Sequence, residues 1–171
     1  MFQNVYTAMR LAVIACLFLA FALSPAWGLT IIQQNFYSGS TVVKKGAKGG
    51  FFLTNGKDKI NIAIEKNSLD AYLDELGINQ VTIWCDLKEE LVDLGNGINF
   101  YRLTFTFGPS GAYFNPDPLI LTLSGKYASE DIQISLYDEN GEAVESNRQG
   151  SADTIKFYIP HFSSYYYDGY Y

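Results

Sequence analysis

The chain has 171 residues, 18 acidic side chains against 12 lysines and arginines, and a formal charge of −6 with its single histidine neutral. That excess of negative charge disfavours DNA, RNA and anionic lipid as partners, because each is itself a polyanion. Two cysteines and one histidine exclude a disulfide framework and supply no Cys/His metal set, so no metal or other cofactor is expected.

The first 28 residues read as a signal peptide. Arg10 is the one charge of Met1 to Arg10, Leu11 to Leu23 is almost wholly apolar, Ser24-Pro25 break the run, and Ala26-Trp27-Gly28 offers small residues where a signal peptidase reads. The apolar run of about 13 residues is short of the ~20 that a spanning helix needs. Cleavage is expected after Gly28, which makes the protein secreted or periplasmic with no stable membrane span. An uncleaved anchor is the alternative. Val13-Ile14-Ala15-Cys16 loosely resembles a lipoprotein box, but Cys16 lies inside the apolar run rather than at its end. Loss of this segment removes Arg10 and no acid, so the charge becomes −7, and it leaves Cys85 alone. Val81, Ile83 and Cys85 share a face, which reads as a buried small side chain rather than a reactive thiol.

Leu29 to Ser40 is weakly patterned and is expected to be a lead-in over residues 29–41, either an extra strand or a flexible arm. From Val42 on, a period of two dominates. Ile60, Ile62 and Ile64 alternate with Asn61, Ala63 and Glu65. The same holds for Tyr101, Leu103, Phe105 and Phe107, for Ile132, Ile134 and Leu136, and for Ile155, Phe157 and Ile159. Val42-Val43, Phe51 to Leu53, Val81 to Cys85 and Leu119 to Leu123 are further strand candidates. Turn signals separate them: Lys48-Gly49-Gly50, Asn55-Gly56, Gly95-Asn96-Gly97, Gly108 to Gly111 and Asn140-Gly141. Asn67 to Gly77 is the exception and predicts a short helix. Ser68 is placed as its cap, Leu69, Tyr72, Leu73 and Leu76 form its apolar stripe, and Gly77 ends it. Many short strands with one helix predict an all-β antiparallel sandwich spanning residues 42–167, with a Tyr-rich tail at 168–171.

Asp86, Glu89, Glu90 and Asp93 read as a solvated acidic face. Asp138-Glu139-Asn140-Gly141 reads as a hairpin turn, since it lacks the full run of oxygen ligands that calcium needs. In Gly108-Pro109-Ser110-Gly111, Pro109 suits the second place of a turn and Gly111 a positive φ. Tyr113 and Phe114 then point to opposite faces, one of them into the core.

The order of four motifs resembles the ZU-five domain family of zonula occludens proteins, netrin receptors and ankyrins, in a bacterial-like exported version. They are Gly49-Gly50-Phe51-Phe52-Leu53; Ile62 to Leu69, without the proline usual there; Phe107-Gly108-Pro109 through Pro118-Leu119; and Leu136-Tyr137-Asp138 to Gly141 with the later His161-Phe162-Ser163. The resemblance covers roughly residues 42–167. It implies a non-catalytic structural or protein-interaction module with a protein partner. It also implies a second possibility, because some members cut a His-Phe-Ser triplet between Phe and Ser by an N-to-O acyl shift. Carried over, Ser163 is the nucleophile, His161 its base and the Phe162 carbonyl the target. A straight strand holds residues i and i+2 roughly 6.5–7 Å apart, so the reaction needs a kink at Pro160 to Ser163 that brings imidazole and hydroxyl within about 3.2 Å. The unreactive alternative makes Phe157 to Tyr165 the last core strand, with His161 continuing the inward phase of Ile155, Phe157 and Ile159. Tyr166, Tyr167, Tyr170 and Tyr171 are candidate partner-binding residues, since exposed aromatics carry interface energy. A glycan-binding reading rests on the tyrosines and Trp84 and predicts a shallow groove of coplanar rings. Turnover of an external substrate is not expected: there is one histidine and no Gly-x-Ser-x-Gly elbow.

Overall fold

A computed structural model of the protein describes residues 29–54, 56–93, 95, 99–128, 133–148 and 154–170. The expected signal peptide and its cleavage site lie outside the described residues, as do Asn55, Asn96, Gly97, Ile132 and Tyr171. Among the described residues the chain forms ten strands: β1 (Thr30–Lys44), β2 (Gly49–Thr54), β3 (Ile60–Ile64), β4 (Gln80–Asp93), β5 (Asn99–Gly108), β6 (Leu119–Ser124), β7 (Gln133–Tyr137), β8 (Ser146–Arg148), β9 (Thr154–Ile159) and β10 (Ser164–Tyr170). They pair as two antiparallel five-stranded sheets, β1-β4-β5-β10-β7 and β2-β3-β6-β9-β8. The sheets pack face to face as a β-sandwich. Its core comes from the inward side of each strand: Ile83, Leu103 and Phe105 from the first sheet, Ile62, Leu121 and Phe157 from the second.

Residues 29–41 do not form a separate segment. Thr30 to Lys44 is one strand, the longest among the described residues, paired with β4 along its length. β4 itself runs eight residues past the apolar stretch Val81 to Cys85 and toward the loop at Gly95. β8 carries no apolar alternation and was not readable as a strand.

The helix α1 is shorter than the sequence implies, Asp70–Leu76. Leu69 rather than Ser68 occupies the cap position, without a side-chain bond, and the Ser68 hydroxyl is buried with no hydrogen-bond partner among the described residues. Leu69, Tyr72 and Leu73 pack into the core, but Leu76 is exposed, because the helix ends before a second full turn can lean on the sheet. Gly77 closes it in the left-handed conformation (φ 66°). In the Gly108 to Gly111 region the turn is shifted by one residue. The Ala112 N–H donates to the Pro109 carbonyl at 3.3 Å, so Pro109 is the first residue of the turn, and Gly111 takes the positive φ of 81°. Phe114 is buried, whereas Tyr113 stays at the surface and donates to Glu75 at 3.0 Å.

The acidic stretch of β4 is solvated only in part: Asp86 is exposed and Asp93 half-buried, but Glu89 and Glu90 are each only 3% exposed. Alternation sends them to opposite sides of the sheet. Glu90, on the outer side, pairs with Lys88 at 2.6 Å. Glu89 points into the sandwich and accepts from the Tyr127 hydroxyl in a short contact, from Lys126 at 3.1 Å and from Asn35 at 3.3 Å. Lys126 in turn lies 4.5 Å and 4.7 Å from the ring centroids of Tyr101 and Tyr127. A short 3-10 turn, Gly125–Tyr127, delivers both partners. Gly125 is required there: its φ is +64°, and a Cβ would stand 2.6 Å from the Lys57 carbonyl. A carboxylate in such a place is tolerated only when its lone pairs are filled. Cys85, as expected, is fully buried, and burial holds its thiol protonated well above the usual range, with Asp86 adding to the effect.

Tyr127→Phe removes one donor from the buried carboxylate. It is expected to lower stability by about 1.5–3 kcal/mol in chemical denaturation at neutral pH. Burial, reinforced by Glu89, raises the Tyr127 pKa. The folded state therefore keeps the phenol proton to higher pH than the unfolded chain, and this contribution is intact below pH ~10 and lost above it. The stability gap between the wild type and Tyr127→Phe should narrow as pH rises through that value.

Candidate functional site

Pro160 to Ser163 joins β9 of the second sheet to β10 of the first. The stretch Phe157 to Tyr165 is therefore not one closing strand but a crossing between the two layers. Pro160 lacks the N–H that would continue the β9 ladder, and the crossing is fixed by backbone bonds of its own. The Phe114 N–H donates to the Pro160 carbonyl at 2.9 Å, Phe162 N–H to Ala112 carbonyl at 2.7 Å, and Phe107 N–H to Ser163 carbonyl at 3.2 Å. Tyr113 and His161 form an isolated antiparallel bridge.

The crossing resets the alternation. Ile159 is the last inward residue of β9, His161 is only half-buried, and Phe162 takes the inward place. The expectation that His161 continues the inward phase fails for this reason: the phase belongs to a sheet, and the chain changes sheets. Phe162 stacks on Phe107 (5.6 Å, 11°) and meets Phe114 edge-on (4.9 Å, 73°), while Tyr165 lies edge-on to Phe107 at 5.9 Å. The Tyr165 hydroxyl donates back to the His161 carbonyl at 2.7 Å, closing the bend. Burial raises the pKa of that phenol, an effect the neighbouring Ser163 hydroxyl opposes.

His161 borders an open cleft of about 410 Å³ between the crossing and the β7–β8 connection. Prolines 116, 118 and 160, the rings of Phe114, Tyr158 and Tyr165, and the carboxylates of Asp138, Glu142 and Glu145 line it. Asp138 also organises the turn below. Its carboxylate accepts from the backbone N–H groups of Glu142 and Asn140, both at 2.9 Å. The Glu142 N–H chiefly, then Asn140, hold its pKa below the ordinary value. This loop is a hairpin turn, with Gly141 at φ 81° and its N–H donating to the Asp138 carbonyl.

The structure thus brings His161, Phe162 and Ser163 together on a bent segment, but with different partners. Among the described residues no hydrogen bond joins His161 to Ser163. The Ser163 hydroxyl reaches the Ser164 carbonyl, at 3.5 Å, and the imidazole lies 6.3 Å from the Tyr165 ring. Of the four candidate binding tyrosines, Tyr167 is a correction. It is fully buried, and its hydroxyl donates to the Tyr127 carbonyl at 3.0 Å, so it supports the fold and offers no surface. Tyr166 is exposed and stacks on Tyr137 across the β10–β7 pair (5.5 Å, 24°). Tyr170 lies within β10, opposite Phe100 and Gln133, so the strand includes most of the expected tail; Tyr171 lies outside the described residues. Trp84 lies over Gly108 on the outer face of β4–β5, where a Cβ would stand 2.1 Å from its ring. Of the rings on which a glycan platform would rest, Tyr166 is stacked on Tyr137 and Trp84 lies over the Gly108 backbone.

Comparison with protein-family models, with curated proteins and with solved structures finds no match.

Truncating Phe162 to Ala should cost about 3–5 kcal/mol, since it opens a cavity between Phe107 and Phe114. His161→Ala should stay within about 0.5 kcal/mol, as for a surface side chain. Equilibrium denaturation of the two variants checks both, and equal losses would contradict the phase change at the crossing.

Proposed function

We propose that the protein is an exported, non-catalytic interaction module, with a protein partner and no cofactor. The observation that carries this reading is the open flank of β1. This strand is an outer member of its sheet and exposes Ile31 (50%), Ile32 (52%) and Phe36 (71%). An edge strand that leaves backbone donors and acceptors unpaired beside apolar side chains is a ready template for another chain. Export rests on the N-terminal charge, apolar run and small-residue pattern, and kinship with the ZU-five family on the order of the four motifs. Among the described residues no helix is long and apolar enough to cross a membrane.

A photo-crosslinking amino acid at position 36 tests this in the producing cells. A discrete adduct is expected there and not from position 122, on the outer face of the second sheet. Position 36 yielding no adduct would sink the reading.

One observation favours self-processing as the second reading: Pro160 to Ser163 is bent, as the acyl shift requires, and Phe162 is clamped while His161 faces an open cleft. The His161 ring would have to turn toward the Ser163 hydroxyl. The reaction predicts a free Ser163–Tyr171 peptide in denatured protein by mass spectrometry, abolished by Ser163→Ala. A single mass running through Tyr171 argues for the inert module.

A further inference from the structure

We draw no further inference here: the strongest candidate, the open cleft between the β9–β10 crossing and the β7–β8 connection, where the carboxylates of Asp138, Glu142 and Glu145 lie beside His161, is an acidic cluster whose Asp138 is already engaged by the backbone of its own turn, and nothing in the structure shows what would occupy it.

Discussion

The chain has to leave one sheet and enter the centre of the other within four residues, Pro160 to Ser163, and the sandwich is built around that requirement. β10 lies between β5 and β7, so the first sheet is continuous only if the last segment arrives in register. Three backbone bonds, to Ala112, Phe114 and Phe107, hold the crossing on one side, and the Tyr165 hydroxyl holds it from the other. Phe162 supplies the apolar anchor. Its stack with Phe107 joins the crossing to β5, and its contact with Phe114 joins it to the segment before β6. The same geometry leaves His161 at the surface, beside the cleft, because two adjacent residues of an extended chain cannot both face inward.

A second constraint operates at Glu89. An inward carboxylate on a central stretch of β4 would be a severe penalty alone, and the fold surrounds it with the Tyr127 phenol, the Lys126 ammonium and the Asn35 amide. Asn35 comes from β1 and the other two from the turn after β6, so the cluster on β4 ties the edge strand to the body through polar contacts. Such a network specifies one register of β1 on β4, since a shift by a single residue would move Asn35 and Glu89 apart. The long edge is thereby held in one register while its outer flank remains open.

That combination of a fixed strand and an unprotected flank bears most on function. β1 contributes Tyr37, Gly39, Thr41 and Val43 to the interior, with Gly39 lying against the Phe51 ring and Gly49 against Val43. Its other face presents Phe36, Ser38, Ser40 and Val42. A strand anchored this way can accept another chain without reorganising, which lowers the entropic cost of association.

Much of the fold was legible in the chain itself. Period-two alternation located most strands, because a half-buried strand has to alternate whatever its neighbours are, and glycines such as Gly77 and Gly111 marked places where only a positive φ closes the turn. The triplet His161-Phe162-Ser163 was also visible as a distinctive site. Local pattern could not reveal which strands share a sheet, so the step from β9 to β10 read as one strand and His161 was given the place that Phe162 occupies. Nor could it show that Tyr127 and Lys126 lie across from Glu89, since those pairings span 38 and 37 residues of sequence. A run of acids therefore read as solvated, and Tyr167 as free. Alternation is a property of the backbone and is written locally; burial and partnership are properties of the packed layers, and only the tertiary structure decides them.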